Sequence, residues 1–183
     1  MYEFYVTPPI EFIAIMGGII AILIILDILV LKGRQIMKKT QFLPKEIKVI
    51  ALIAITSILI ILSLLTTMHF LVKIVIVRSK VIVEIPYVLT CREFNKNDII
   101  KVYIANIYEE KGLRPVIRLA GTSLGTYHVG WFKLANGKIA LIVTHSAENL
   151  IIETRSGLIV ILGPDNFDKF VKVFSREVMK LEE

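Results

Sequence analysis

The chain is poor in the residue types that build disulfides and metal sites. Its 183 residues include one cysteine, Cys91, and three histidines. A single cysteine excludes any disulfide within the chain. His69, His128 and His145 show no spacing to one another, to the cysteine or to carboxylates that is typical of zinc ligands. We therefore expect neither a bound metal nor another cofactor.

Catalytic motifs are also missing from the sequence. Thr122 and Ser123 lie in a glycine-rich stretch near His128, but the G-x-S-x-G pattern and a third residue that would orient the histidine are absent. The glycines of residues 121–130 lack the Lys-Ser/Thr ending of a phosphate-binding loop. The sequence therefore predicts that the protein is not an enzyme. Thr122 and Ser123 are expected to form a turn.

Lysine and arginine are absent from residues 1–31, and what this segment does contain is a long apolar run. Two such runs, Ile10 to Leu31 and Val49 to Phe70, dominate the first part of the chain. About 22 helical residues reach ~33 Å, against ~30 Å of bilayer hydrocarbon. The first run has no basic segment before it and is longer than the ~7–15 apolar residues of a cleavable signal peptide. We expect residues 1–72 to form a two-helix transmembrane hairpin.

Basic residues predict the orientation of this hairpin. Six of them lie in the loop of residues 32–48, and short loops rich in lysine and arginine stay in the cytoplasm. The protein is then a multi-pass cell-membrane protein with both termini outside the cytoplasm, although Lys73, Arg78 and Lys80 weaken the bias. The net charge of +6 is concentrated where lipid headgroups are the nearest anions, so no nucleic-acid partner is expected. Four aromatic residues are expected at the headgroup level: Tyr2, Phe4, Tyr5 and Phe12.

The first predicted span carries one polar residue and a stripe of small ones. Asp27 is a candidate intramembrane polar site, which either reaches headgroups or pairs with Lys48 near the cytoplasmic edge, or serves proton or ion transfer. Small residues at three- and four-residue spacing allow close helix packing, with the second span or with another copy in a homo-oligomer. This stripe consists of Ala14, Gly17, Gly18 and Ala21.

From residue 73 the pattern changes to near-alternating β-branched residues, which indicates short strands. We predict a second domain, 73–183, with eight strands: Ile74 to Val77, Val81 to Ile85, Ile99 to Ala105, Val116 to Leu119, Gly130 to Leu134, Ile139 to Thr144, Leu150 to Thr154 and Leu158 to Leu162. Asn136-Gly137 predicts a type I′ hairpin turn. Arg155-Ser156-Gly157 predicts the turn of another hairpin.

A terminal helix is predicted over 165–180. Phenylalanine and valine recur there at the spacing of one helix face, with Phe170 and Phe174 among them. Pro164 precedes the helix, and Gly163 stands where we would expect a side chain that caps it. Strands followed by one such helix indicate a small barrel or sandwich that the helix covers.

Within this domain, a set of residues resembles prokaryotic domains with a pleckstrin-homology-like (PH-like) fold, which often follow two membrane spans. The residues that carry the resemblance are Gly121-Thr122, Gly125, Tyr127, Gly130-Trp131-Phe132, Leu134, Asn136-Gly137, Thr144, Thr154, Gly157, Pro164 and Phe170. It extends over Val72 to Lys180. The resemblance implies a bent antiparallel barrel capped by a C-terminal helix, and it implies no catalytic residue.

Two surfaces are candidates for binding. Tyr127, Trp131 and Phe132 are a candidate interaction surface, although alternation along a strand sends Trp131 and Phe132 to opposite faces and at least two of the three are expected in the core. Lys73, Arg78 and Lys80 are candidate contacts to anionic lipid.

The sequence thus favours an integral membrane protein whose PH-like domain is a membrane-proximal interaction or assembly module. Its partners would be the lipid bilayer and other membrane or membrane-proximal proteins. One alternative is recognition of anionic lipid by this domain, and another is an accessory subunit of a transporter or channel, in which Asp27 acts.

Overall fold

The computed structural model describes residues 1–36 and 45–181. It divides the chain into two compact units. One unit is residues 10–67, which are helical where described, and the other combines Met1–Pro9 with the chain from Met68 onward. Residues 37–44 of the predicted cytoplasmic loop lie outside the described residues.

The helical unit contains the two predicted apolar helices. Helix α1 is Ile10–Ile36 and helix α2 is Lys45–His69. Within them, Ile10–Leu29 and Val49–His69 are long and apolar enough to cross a membrane, and neither stretch is buried inside the protein. The two helices at the predicted positions are therefore candidate membrane spans by length and composition.

Gly17 and Gly18, at the centre of the small-residue stripe of α1, do not pack against α2. A Cβ atom built on Gly17 or Gly18 meets nothing within 4 Å. Ile20 and Ile24, on another face of α1, instead line a pocket together with Leu59 of α2. The expectation that the stripe receives α2 is therefore wrong, because larger side chains on a different face of α1 lie next to that helix. Dimerisation through the stripe stays a prediction.

Among its described residues, the second unit contains ten strands in two sheets, two short 3₁₀ helices and one α-helix. The four-stranded sheet is antiparallel, in the order β1 (Tyr2–Tyr5), β2 (Lys73–Val77), β3 (Lys80–Ile85) and β4 (Thr90–Asn95). The six-stranded sheet has the order β5 (Ile99–Asn106), β9 (Glu148–Thr154), β10 (Ile159–Gly163), β8 (Ile139–Thr144), β7 (Tyr127–Leu134) and β6 (Pro115–Leu124). In this sheet only β8 and β10 pair in parallel. Helix α3 is Phe167–Glu177.

The central strands of the six-stranded sheet are buried on both faces. Leu141 and other residues of one face pack with the four-stranded sheet and with Phe170 of α3 in the main core. Ile142 and its neighbours on the opposite face pack with Ile107 and Leu113 of the β5–β6 connection in a second core. This double burial explains why β8 and β10 are almost continuously apolar. The predicted order of two apolar helices, a β-rich domain and a terminal helix is the observed order.

Strand β1 was not predicted from the sequence. Tyr2–Tyr5 pairs with β2, and Phe4 is 5% exposed, its ring centroid 5.2 Å from that of Phe170. Phe4 is therefore a core residue rather than a headgroup anchor, because the start of the chain completes the sheet edge beside α3. For the same reason the structure groups residues 1–9 with the β-rich unit, whereas the sequence suggested a division at residue 72.

The turn at Arg155-Ser156-Gly157 lies where it was predicted, between β9 and β10, whereas the turn at Asn136-Gly137 differs from the predicted type. Asn136 has no positive φ, whereas Gly137 has φ 82° and donates its backbone N–H to Leu134 O at 2.9 Å. This is a type I turn followed by a left-handed glycine, a common three-residue hairpin loop. The type I′ turn lies instead at Arg78 and Ser79, whose φ angles of 44° and 65° are both positive.

Helix α3 begins later than predicted. Its N-cap position is Asn166, and Gly163 is the last residue of β10. A Cβ atom on Gly163 would lie 2.5 Å from Asn149 Oδ1 and closer still to the Thr144 hydroxyl. Glycine is therefore required there by close packing at the sheet end, not by the helix cap.

Candidate functional site

The β-rich unit has two distinct ends. Tyr5 pairs with Lys73, and Val6 donates its backbone N–H to Val72 O at 3.3 Å. The segment that leads into α1 and the segment that follows α2 therefore lie side by side at this end of the unit. We call this the connection end, and the end with the turns that follow β2, β7 and β9 is the distal end.

A groove opens in the distal half of the unit. It lies along β4, which within the described part of the chain pairs with β3 alone, and its volume is about 800 Å³. We call it the distal groove, and its lining residues are Arg92, Glu93, Phe94, Asp98, Trp131, Ile139, Thr154, Arg155, Ser156, Gly157 and Leu158.

Trp131 forms one wall of the distal groove. It projects from β7, packs in part against the main core, and donates its indole N–H to Thr90 Oγ1 at 3.0 Å. The guanidinium carbon of Arg92, on β4, lies 5.7 Å from the centre of its ring. This is a cation–π contact, and a fixed indole beside a cation is a surface that favours flat or anionic groups.

Arg155 contributes the second cation of the groove. It lies in the β9–β10 turn, where Gly157 has φ 81°. Its backbone N–H bonds to Asp98 O at 2.9 Å and its side-chain Nε–H to Asn97 O at 2.8 Å. These bonds join two distal turns and fix the base of the arginine side chain at the groove.

The acidic residues of the groove are already engaged by neighbours. Glu93 forms an ion pair with Lys80. Asp98 Oδ2 accepts bonds from the Asn95 backbone N–H at 3.0 Å and side-chain amide at 3.2 Å.

By contrast, Arg92 and Arg155 form no ion pair within residues 1–36 and 45–181. The electrostatic character of the groove is therefore set by two guanidinium groups.

Strand β4 presents backbone groups to the groove. Its partner β3 follows a two-residue turn, and the Lys96 N–H donates to Ser79 O at 3.1 Å. This bond identifies the residues of β4 whose backbone groups bond to β3. Because bonding alternates along an antiparallel strand, the N–H and C=O groups of Cys91 and Glu93 point away from β3. A free edge of this kind can accept another extended segment.

Of the predicted aromatic surface, only Trp131 reaches the surface. Tyr127 is fully buried in the main core, and Phe132 is 2% exposed in the second core. Burial raises the pKa of Tyr127 far above its ordinary value. The two side chains lie on opposite faces of β7, and a core covers each face, so neither can form an exposed binding face.

The three predicted lipid contacts are not brought together. Lys73 starts β2 at the connection end and pairs with Glu3 at 3.2 Å and Glu84 at 3.4 Å. Arg78 and Lys80 lie at the other end of the β2–β3 hairpin, about 13–17 Å away at ~3.3 Å per residue. Their part in lipid binding stays a prediction.

His128 links the β6–β7 hairpin to the β5–β6 connection. Its Nδ1 lies 2.9 Å from Ser123 Oγ and its Nε2 lies 2.9 Å from the Tyr108 hydroxyl. Burial lowers the pKa of His128, which favours the neutral ring in these bonds. Because a phenol occupies the position at which a catalytic histidine usually meets a carboxylate, this arrangement supports a structural latch better than an activated serine.

Asp27 lies on the half-exposed side of α1. Its Oδ1 atom is enclosed and accepts no hydrogen bond from the side chains that the structure describes. The predicted partner Lys48 has its side chain outside the described set. The roles weighed for Asp27 therefore stay predictions.

Comparison with known families agrees with this architecture. The family model for the bacterial PH domain matches residues 75–178. The chain belongs to the bacterial PH domain family. Searches of curated proteins and of solved structures find no match. The predicted fold is confirmed: two apolar helices precede a bacterial PH domain whose sheets form a sandwich with a C-terminal helix.

Sequence reasoning missed the two arginines of the distal groove. Arg155 was visible as part of a turn, Arg155-Ser156-Gly157, but a turn gives no sign that its side chain faces a groove. Arg92 lies on β4, which was not predicted at all. The proximity of β4 to the β9–β10 turn depends on the topology of the sheets, and no local sequence pattern encodes it.

Proposed function

We propose that this protein is a membrane-anchored adaptor, in which α1 and α2 cross the bilayer and the bacterial PH domain binds an extended, acidic segment of a partner protein in the distal groove. The observation that carries the proposal is the combination of a free β4 edge with the two guanidinium groups of Arg92 and Arg155. Two long apolar helices with no buried stretch support the anchoring.

Backbone pairing would supply affinity at the groove. An added strand bonds to the outward groups of Cys91 and Glu93, and alternate side chains then point toward Trp131 and the arginines. Guanidinium groups bind carboxylates through parallel N–H bonds, so acidic side chains are favoured. Tethering to a bilayer raises the effective concentration for other membrane proteins, so that a weak contact suffices.

Recognition of anionic lipid by the domain is less well supported. Lys73 and Lys80 already pair with carboxylates, and the three basic candidates lie at two ends of a hairpin. The distal groove itself lies toward the end opposite to the connection segments. These observations favour a protein segment over a lipid headgroup as the ligand of the groove.

Fluorescence of Trp131, the one tryptophan in the chain, tests the proposal. The full chain in nanodiscs is titrated with an alternating Thr-Glu peptide and, for comparison, a Thr-Lys peptide of equal length. We expect a saturable spectral change with the acidic peptide alone. The variant Arg92→Glu, Arg155→Glu should lose it, whereas the matched control Arg118→Glu, on exposed β6, should keep it.

Two outcomes would contradict groove binding. One is an equal response to both peptides, which would show that the indole reports general association. The other is a response that persists in the groove variant but disappears in the Arg118 control.

A further inference from the structure

An unusual apolar side chain marks the connection end of the β-rich unit. Leu89, in the turn between β3 and β4, is 93% exposed. Its backbone is left-handed, with φ 51° and ψ 37°, and its N–H bonds to Pro86 O at 3.0 Å. A branched residue is unfavourable in this conformation, and so is a fully hydrated isobutyl group. The turn therefore holds a leucine outward at a position where glycine or asparagine would fit more easily.

This turn is fixed beside the residue at which α2 ends. Tyr87, two residues before Leu89, stacks on His69 with ring centres 3.9 Å apart and 16° between the planes. His69 is 8% exposed, and its Nε2 lies 3.0 Å from Thr122 Oγ1. His69 is also the last residue of the second candidate span. Leu89 therefore lies near the point at which the chain re-enters the β-rich unit.

Two more apolar side chains are exposed directly after His69 in the sequence. Phe70 is 41% exposed and Leu71 is 51% exposed, directly after His69. Lys73 at this end forms ion pairs with Glu3 at 3.2 Å and with Glu84 at 3.4 Å. Exposed apolar groups thus lie beside a lysine whose charge is already paired, which suits the boundary between headgroups and acyl chains without a need for anionic lipid.

We propose that the β3–β4 turn inserts Leu89 into the interfacial layer of the bilayer, next to the point where α2 leaves it. The inference rests on the proposed membrane insertion of α1 and α2. Its consequence is a third attachment point besides the two chain connections, which holds the connection end on the membrane. The occupant of this surface is then lipid of any headgroup charge, and the distal groove stays accessible to a partner.

Depth-dependent quenching tests the proposal on the full chain in nanodiscs of phosphatidylcholine alone. In a Cys91→Ser background, the variants Ile60→Cys, Leu89→Cys and Ile117→Cys are each labelled with one environment-sensitive dye. Ile60 lies within the second candidate span, and Ile117, 52% exposed on β6, lies toward the distal end. We expect spin-labelled lipid to quench the dye at positions 60 and 89, with no quenching at position 117.

The three positions separate the possible failures. Quenching at 60 but not at 89 overturns the inference and leaves membrane insertion of the helices intact. Absence of quenching at 60 overturns the proposed anchoring and this inference together. A blue-shifted dye at 89 that lipid spin labels do not quench indicates that protein, such as a second copy, covers the turn, and this also overturns the inference.

A measurement without the dye gives an independent answer. In the same nanodiscs, a charged, membrane-impermeant maleimide reacts with unlabelled Leu89→Cys or Ile117→Cys protein. Solvent exposure within the protein predicts faster reaction at 89, since Leu89 is 93% and Ile117 is 52% exposed. The proposal predicts the reverse order, because lipid covers position 89. Faster reaction at 89 contradicts it.

Discussion

A glycine pair in the β6–β7 hairpin gives the sharpest stability prediction. Gly121 and Gly130 face each other across the two strands, with φ angles of 121° and 132°. A Cβ atom on Gly130 would lie 2.8 Å from Gly121 Cα and closer still to the carbonyl oxygen of Ala120. These obstacles are backbone atoms, which cannot rotate away. Gly130→Ala therefore combines backbone strain of about 1–3 kcal/mol with overpacking of about 1–3 kcal/mol, together about 2–6 kcal/mol.

Gly125, in the turn of the same hairpin, provides the matched control. It has φ 57°, and a Cβ atom there meets nothing within 4 Å. Gly125→Ala should cost only the left-handed conformation, about 1–2 kcal/mol. Denaturant unfolding of the full chain, followed by Trp131 fluorescence, compares the two free energies of unfolding. If Gly130→Ala is no more destabilising than Gly125→Ala, the close approach of the two strands does not exist and the reasoning is refuted.

Further predictions concern a histidine, a strained turn and the terminal helix. Burial lowers the pKa of His128 below its ordinary 6.5, so the unfolded state binds more protons than the folded state at acidic pH. The free energy of unfolding should therefore fall as the pH drops below about 6.5. In denaturation measured at several pH values, His128→Gln should flatten this slope more than His145→Gln. Replacing Arg78 and Ser79 by Asn-Gly, which suits two positive φ angles, should stabilise the domain by about 1–2 kcal/mol, and an unchanged or lower midpoint would argue against the type I′ turn. Phe170→Ala should cost about 3–5 kcal/mol because the ring is fully buried, and a cost below ~1 kcal/mol in the same assay would show that α3 is not part of the core.

The extent to which the fold follows from sequence is clear at particular strands. Val81 to Ile85 and Ile139 to Thr144 have strong β-branched or alternating patterns, and the structure has β3 and β8 there. Strand β4, Thr90–Asn95, is an edge strand with polar residues on both sides, so neither alternation nor an apolar run reveals it. In the sequence, the residues of strand β1 resemble the aromatic border of a membrane span. The strand was missed because its pairing with β2 joins residues about seventy positions apart, and no local pattern encodes such a pairing.

The candidate site was predictable only in part. Trp131 was identified because strand alternation separates it from Phe132, and one of the pair had to face away from the core that holds the other. In the structure, Phe132 is buried in the second core, whereas Trp131 packs in part against the main core and reaches the groove. Arg92 and Arg155 become neighbours of this indole only through the closure of two sheets. Electrostatic sites of this kind depend on tertiary proximity, which composition cannot provide.

Membrane anchoring is the claim on which the adaptor proposal depends most directly. Native membranes from cells that express the full chain can be washed at alkaline pH and sedimented, and the pellet then treated with detergent. The account predicts that the protein stays in the pellet through the alkaline wash and is released by detergent, because α1 and α2 expose apolar side chains along their candidate spans. A folded, monodisperse protein in the supernatant without detergent would contradict it.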